Sequence, residues 1–179
     1  MINKVIGLPP RNTRLAWKDR HMLEALISAE RSPDPNTQVG ACIVNQANRV
    51  ISTGYNSFPN GIAPHIFPWD RENKDPLLTK YPYIVHAERN AIHNAQTLLH
   101  GCTLFVTMYP CNDCAKDIIQ SGIKHIEYLT NPYENTWQVK AAQKLFQTLD
   151  ITVYKHIWND KDQVLACLQK LSTLVSSSL

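Results

Sequence analysis

Long hydrophobic runs are missing from this 179-residue sequence. No stretch approaches the ~18 apolar residues of a membrane-spanning helix. Residues 1–14 include Pro9-Pro10 and have no apolar core of the length found in signal peptides. We therefore expect a cytoplasmic protein that makes no membrane contact.

The sequence has too few cysteines, and an odd number of them, for a disulfide-rich scaffold. An odd number of cysteines in a chain of this length argues against a disulfide framework and favours a reducing compartment. The cysteines are therefore available for metal binding or for burial as small apolar side chains. There are five of them: Cys42, Cys102, Cys111, Cys114 and Cys167.

The sequence also has no cluster of basic residues. Its 18 lysines and arginines exceed its 15 acidic residues by a net charge of only +3, and they are scattered along the chain. This charge does not indicate a nucleic-acid partner. It does suit a phosphorylated small molecule.

The alternation of apolar periodicities predicts one α/β domain. We expect a loose arm at residues 1–14, a domain at 15–157, and a C-terminal helix and serine-rich tail at 158–179. The fold predicted is a three-layer α/β/α sandwich with a five-stranded mixed sheet. Helices are expected at 16–31, 86–96, 111–121, 136–148 and 160–175, and strands at 39–44, 49–55, 103–108, 125–129 and 151–154.

Two further expectations concern packing. In the helix at 136–148 the inward-facing residues should be Val139, Ala142, Leu145, Phe146 and Leu149. Residues 57–83 hold five prolines and no periodicity, which indicates a functional insertion or a partly mobile segment. Its aromatic residues would bury a subunit interface or pin the loop, and sequence leaves both open.

Two short stretches carry the chemistry, His86-Ala87-Glu88 and Pro110-Cys111-Asn112-Asp113-Cys114. Each should open a helix. Cys111 and Cys114 are three residues apart, so their sulfurs lie on one helix face, in a first turn that favours thiolates. With His86 they make three zinc ligands and leave the fourth tetrahedral position free for water, as in catalytic zinc sites.

Glu88 is positioned beside this trio without being needed as a ligand. Two thiolates, a neutral imidazole and Zn²⁺ sum to zero charge, and zinc lowers the pKa of bound water toward neutrality. Glu88 can take that proton and pass it to a substrate ring nitrogen and then to a leaving amine. The arrangement H-x-E…P-C-x-x-C is the signature of zinc nucleobase deaminases.

At these residues the chain resembles the cytidine and deoxycytidylate deaminase superfamily, and within it the deoxycytidylate (dCMP) deaminases. The resemblance spans roughly residues 17–155 and includes strings outside the zinc motif. These are Arg31-Ser32-x-Asp34-Pro35-Asn36-x-Gln38-Val39-Gly40-Ala41, Gly54-Tyr55-Asn56, Thr79-Lys80-Tyr81-Pro82-Tyr83 and Pro110-Cys111-Asn112-Asp113-Cys114-Ala115-Lys116.

The resemblance implies the roles of several residues. His86, Cys111 and Cys114 would bind one zinc, and Glu88 would shuttle protons. Asn56 would hydrogen-bond the sugar or base of dCMP. Arg31 and Asn36 would be the candidates for the 5′-phosphate, and Tyr133 would pack against the nucleotide from the other side.

The resemblance further implies conversion of dCMP to dUMP for thymidylate synthesis by an allosteric homohexamer, which dCTP with Mg²⁺ activates and dTTP inhibits. The segment 54–61 resembles the effector-binding loop, although Ser57 stands where the family usually has glycine. Effector contacts are expected at Gly54, Tyr55, Asn60 and Gly61.

Other functions compatible with the zinc motif are deamination of another free nucleotide or nucleoside, and deamination of a nucleic-acid base. The second predicts a basic channel, for which the scattered charge gives no support. A non-catalytic zinc-binding regulatory subunit is a further alternative. The presence of Glu88 argues against it, because a subunit without turnover needs no proton shuttle.

Overall fold

The computed structural model describes residue 8, residue 11 and residues 13–178. The N-terminal arm expected at residues 1–14 therefore lies almost wholly outside the described residues. The helices are α1 (Trp17–Ala29), α2 (Ala87–Asn94), α3 (Asn112–Gln120), α4 (Trp137–Thr148) and α5 (Lys161–Ser177). The strands are β1 (Gly40–Val44), β2 (Val50–Tyr55), β3 (Thr103–Met108), β4 (His125–Thr130) and β5 (Thr152–Lys155).

The five strands form one mixed sheet in the order β2-β1-β3-β4-β5. β1 pairs antiparallel with β2 and β3, and β4 pairs parallel with β3 and β5. The strand–helix–strand unit β3-α3-β4 is thus parallel, as expected for a crossover connection. The predicted fold is confirmed.

Helices cover both faces of the sheet because side chains alternate along each strand. On one face Ile43, Leu104 and Ile126 belong to a buried cluster with residues of α2, α3 and α4, among them Ala91 and Phe146. The other face carries Phe105, whose ring lies 5.3 Å from that of His21 in α1. The site described below lies at the ends of α2 and α3 on the first face.

The described chain divides into two compact units, one from His21 to Ile157 and one made of the segments up to Arg20 and from Trp158 onward. The larger unit holds the sheet and the whole candidate site. In the smaller unit the Asp19 carboxylate accepts a hydrogen bond from the Asn159 backbone N–H at 3.1 Å. Asp160 caps α5 by accepting from the Gln163 N–H at 2.9 Å.

Two details of the helices differ from expectation. Leu149 was predicted to face inward but is 44% exposed, because α4 ends at Thr148 and the chain leaves the helical path at Asp150, with φ of 50°. Ile151 is buried instead. The helix expected to end at residue 175 continues to Ser177, whose hydroxyl donates to the Leu174 carbonyl at 2.9 Å.

Residues 57–83 are irregular apart from one 3₁₀ turn, Pro76–Leu78, and an isolated β-bridge between Ser57 and Val85. Their aromatic side chains stack on one another: Phe58 lies 4.1 Å from Trp69, and Phe67 lies 4.0 Å from Tyr83, between ring centroids. Phe58 is buried within this single chain. The aromatic residues therefore pin the loop, which was one of the two roles left open by the sequence.

Within the part of the chain that the structure describes, no helix combines the length and apolarity needed to cross a bilayer.

Candidate active site

The candidate site lies where α2 and α3 begin. His86 is the N-cap residue of α2 and Cys111 that of α3, both with extended backbone and neither using its side chain as a cap. Cys114 follows in the first turn of α3. Gly122, with φ of 82°, ends that helix as predicted. Both side chains at the helix starts are therefore free to bind a ligand.

The three side chains converge on one point. Nδ1 of His86 lies 3.5 Å from the Cys111 sulfur and 3.3 Å from the Cys114 sulfur. Zinc bonds of ~2.3 Å to sulfur and ~2.0 Å to nitrogen in a tetrahedron put sulfur and nitrogen about 3.5 Å apart. The donor set and its spacing therefore fit zinc with Nδ1 as the histidine ligand. No other group of three or more potential ligands occurs among the described residues.

The electrostatics of the trio match a cation site. A hydrogen bond from Cys114, with a further one from His86, lowers the pKa of Cys111 to about 4. The hydrogen bond with Cys111 raises the pKa of His86 to about 8. Donation to Cys111 and burial raise the pKa of Cys114. The three side chains thus share protons among closely spaced sulfur and nitrogen atoms, and a metal ion that binds them replaces those protons.

Glu88 lies in the first turn of α2 and is only 4% exposed. Burial raises its pKa above the usual value for glutamate. It is within hydrogen-bonding reach of Cys114 but does not belong to the group of three metal-capable side chains. A buried carboxyl with a raised pKa, next to the metal group, suits proton transfer near neutral pH.

The position of α2 depends on close packing against β2. A Cβ atom at Gly54 would lie 2.3 Å from the Ala91 nitrogen, so only glycine allows this approach. The Ser52 hydroxyl donates to the Ala91 carbonyl at 2.7 Å, and the Asn90 amide donates to the Tyr55 carbonyl at 2.7 Å. These contacts set the distance between the sheet and the helix that carries His86 and Glu88.

A pocket of about 420 Å³ opens in front of the metal group. This is large enough for a nucleotide-sized ligand. It brings together five of the residues that were singled out from the sequence: Asn56, His86, Glu88, Cys111 and Tyr133. Cys114 is fully buried behind them.

Asn56 is held in a network of hydrogen bonds at the pocket wall. Its Oδ1 accepts from the Val39 N–H at 2.8 Å, and its Nδ2 donates to the Thr37 carbonyl at 2.9 Å and to Asp34 Oδ2 at 3.2 Å. Asn56 is thereby fixed in orientation, and its Oδ1 keeps one lone pair for a ligand.

Sequence reasoning missed a buried ion pair in the same network. The Lys80 ammonium contacts the Asp34 carboxylate, and both side chains are almost fully buried and line the pocket. Asp34 also accepts from the Asn36 N–H at 2.9 Å through its second oxygen. The signal was present, since both residues lie in strings that carry the family resemblance.

Arg31 and Asn36 are not among the residues that line the pocket. Arg31 is exposed just after α1, and the exposed Asn36 amide donates to the Trp69 carbonyl at 3.0 Å. Their contact with a phosphate stays a prediction. Arg71, by contrast, lines the pocket and was not singled out. Its Nη2 donates to the Tyr133 hydroxyl at 3.1 Å.

The segment expected to bind effectors runs along β2 and beyond it. Gly54 packs against α2, and Tyr55 accepts the Asn90 bond described above. Asn60 and Gly61 are exposed, with Gly61 at φ of 92°. Ser57 is not among the described residues with positive φ, so its backbone needs no glycine. Effector contacts at these positions stay predictions.

Comparison with known proteins adds independent findings. The sequence profile described as "Cytidine and deoxycytidylate deaminase zinc-binding region" matches residues 15–130. The chain is 45% identical to the human protein named deoxycytidylate deaminase over 153 residues, which is 85% of this chain and 86% of the human one. It is 43% identical to the mouse protein of the same name over 151 residues, 84% of this chain and 85% of that one.

Among solved structures, the dCMP deaminase of cyanophage S-TIM5 in complex with dCMP and dUMP is similar to this chain. The TM-score is 0.61 at 26% sequence identity, and the match covers 78% of this chain and 96% of the phage chain.

Proposed function

Because the chain belongs to the cytidine and deoxycytidylate deaminase family, we propose that it catalyses the zinc-dependent hydrolysis of dCMP to dUMP and ammonia. The human and mouse relatives carry the name of this activity, and the cyanophage enzyme was solved with substrate and product bound. The observation that carries the proposal is the zinc-fitting trio with buried Glu88 beside it in one nucleotide-sized pocket.

His86, Cys111 and Cys114 would hold the zinc ion, which when bound supplies Lewis-acid activation of water. Glu88 would take the proton of the attacking water and deliver it to the pyrimidine ring nitrogen. The same carboxylate would then take the second proton of that water and pass it to the amine, which leaves as ammonia. Burial suits Glu88 to this double role, since it brings the pKa of the carboxyl closer to that of the groups it exchanges protons with.

Substrate orientation is assigned to two residues that line the pocket, Asn56 and Tyr133. Asn56 would use its remaining acceptor capacity toward the sugar or base, and its orientation is fixed by Thr37, Val39 and Asp34. Tyr133, which lines the pocket in the connection between β4 and α4, would pack against the nucleotide. Arg31 and Asn36 stay as candidates for the phosphate through the loop they share.

We also propose that the enzyme is a homohexamer regulated by dCTP with Mg²⁺ and by dTTP through the segment 54–61. Support comes from a direct link between this segment and the site. Ser57 and Val85 form a β-bridge with backbone hydrogen bonds of 3.1 and 2.7 Å. Val85 directly precedes His86. A displacement of the segment would therefore shift the backbone of His86 and the position of its side chain.

A reducing, cytoplasmic location is proposed on the basis of the thiols. All five cysteines are free, and two of them belong to the group of side chains that would hold zinc. Oxidation of that pair would remove the metal site.

Deamination of dCMP, deoxycytidine and CMP, followed side by side by ultraviolet absorbance, tests the proposal. We expect preference for dCMP and stimulation by dCTP with Mg²⁺. Turnover of dCMP without stimulation would keep the activity and remove the effector proposal. Failure to deaminate dCMP with one zinc bound per chain would overturn the proposed substrate.

A further inference from the structure

We propose that Arg71, together with the hydroxyls of Tyr81 and Tyr133, binds the 5′-phosphate of the substrate. The inference rests on the proposed function, because it assumes that the substrate is a nucleotide and assigns its phosphate to these three side chains. It names a residue, Arg71, that neither the zinc motif nor the strings of the family resemblance include.

The three side chains form one cluster on the wall of the pocket that contains Glu88 and the zinc ligands. Arg71 Nη2 donates to the Tyr133 hydroxyl oxygen at 3.1 Å, and the Tyr81 hydroxyl is within hydrogen-bonding reach of the same guanidinium. Because the phenol oxygens act as acceptors toward Arg71, their own O–H hydrogens point elsewhere and are available to an anion. The cluster therefore offers a guanidinium and two hydroxyl donors.

The charges that line the pocket single out Arg71. Three potentially cationic residues line it: Arg71, Lys80 and His86. Lys80 is paired with the buried Asp34 carboxylate, and His86 faces the two zinc-binding sulfurs. Within the described part of the chain, Arg71 has no carboxylate partner, and hydrogen bonds to Tyr81 and Tyr133 raise its pKa further. It is the pocket-lining cation whose charge is left for a ligand.

The acidic residues of the pocket do not compete for this cation. Asp34 is bonded to Lys80, and Asp113 forms an ion pair of 2.6 Å with Lys116. Glu88 lies with the metal group. A dianionic phosphate would thus meet Arg71 without displacing an existing ion pair, and planar guanidinium groups bind phosphate oxygens in a bidentate manner.

The placement also explains how substrate could order the pocket. Arg71 belongs to the segment 57–83, whereas Tyr133 lies between β4 and α4. A phosphate bound by both would add a second connection between these segments, beside the 3.1 Å hydrogen bond that already joins Arg71 to Tyr133. Deoxycytidine, which lacks the phosphate, would lose this connection and the charge-assisted bonds.

The test compares kcat/KM for dCMP with kcat/KM for deoxycytidine in Arg71→Gln, Arg71→Lys and Tyr133→Phe. We expect Arg71→Gln to lower the ratio of the two values about 10- to 100-fold, the range for hydrogen bonds to a charged group. Arg71→Lys should lower the ratio less than Arg71→Gln, because lysine keeps the positive charge but lacks the planar guanidinium that binds phosphate in a bidentate manner. Tyr133→Phe should lower it less.

Two control variants sharpen the comparison. Lys74→Gln removes a nearby exposed positive charge that does not line the pocket, and it should leave the ratio unchanged. Arg31→Gln tests the competing phosphate candidate. The inference is overturned if Arg71→Gln lowers both kcat/KM values equally, or if the ratio falls in Arg31→Gln or Lys74→Gln instead. If the wild-type enzyme does not deaminate dCMP at all, it is the proposed function that fails.

Discussion

The zinc side of the pocket and the wall formed by residues 57–83 are held in place by different interactions. On the zinc side, His86, Glu88, Cys111 and Cys114 lie within the first turns of two helices that pack on the sheet core. The wall has almost no regular structure. Stacked aromatic rings and the buried Lys80–Asp34 ion pair hold it.

The residues proposed to carry out the reaction and those proposed to bind the substrate are thus held in place in different ways. The zinc-side residues are positioned by backbone geometry, through helix starts and the close approach of Gly54 to α2. The residues proposed to bind the sugar and phosphate depend on side-chain contacts between segments distant in sequence. Substitutions on one side should therefore alter metal content, whereas substitutions on the other should alter substrate selection or stability with zinc still bound.

The largest effect is expected from Cys114→Ala. Cys114 is the fully buried member of the proposed zinc-binding group. Its removal should eliminate bound metal and reduce turnover below detection, and it should lower the melting temperature because metal binding is linked to folding. Metal analysis and thermal unfolding measure both. Cys167→Ala removes a thiol outside the metal group and should change neither. One tightly held zinc per chain in Cys114→Ala would contradict the ligand set.

Lys80→Met tests the wall. It leaves the Asp34 carboxylate buried without its cation, which costs about 3–5 kcal/mol in comparable cases. Urea unfolding should show this loss while the folded fraction keeps one zinc per chain. Asp34→Asn in the same chain should recover part of the stability. Loss of zinc from folded Lys80→Met would show that wall and metal site are not separable.

Phe58→Leu tests the contribution of the aromatic stack to stability, and its expected effect is smaller than that of Lys80→Met. The buried ring of Phe58 contacts Trp69 and Phe67. Its replacement should destabilise the protein by about 1–2 kcal/mol through lost stacking and imperfect packing. The exposed Ile66 in the same segment supplies the control, since Ile66→Ala should stay within about 0.5 kcal/mol. Equal urea midpoints for Phe58→Leu and the wild type would remove the stack as a support of the wall.

The smallest effect is expected from Arg89→Gln on the zinc side. Arg89 and Asp117 link α2 to α3 by a 2.6 Å ion pair, but their side chains are 42% and 37% exposed. Exposed pairs contribute about 0–1 kcal/mol. Stability and zinc content should both stay close to wild type. A fall in zinc affinity of tenfold or more would mean that this pair, and not the helix starts alone, sets the spacing of the ligands.

Sequence sufficed for the elements whose ends carry local signals. Pro110 and Gly122 bracket α3, and apolar periodicity located β3 to the residue, because these features act within a few positions along the chain. Leu149 was placed wrongly since helical spacing continues past the point where α4 ends. Only the backbone at Asp150 shows the change of direction.

The candidate site divides in the same way. His86, Glu88, Cys111 and Cys114 could be named because their spacing follows from helix geometry and zinc chemistry. Arg71 and the Lys80–Asp34 pair could not be assigned a partner, since 46 residues separate Lys80 from Asp34 and 62 separate Arg71 from Tyr133. Sequence periodicity extends over only a few residues, so it cannot indicate which distant residues an irregular segment contacts.

The most direct test of the central claim is to measure zinc content and dCMP turnover in Glu88→Gln. Glutamine is nearly isosteric with glutamate but cannot carry the proton. We predict one zinc per chain, as in the wild type, and a loss of kcat of at least ~1,000-fold, within the range for a lost general acid–base. Turnover close to wild type with zinc bound would contradict the role of Glu88 and with it the proposed mechanism.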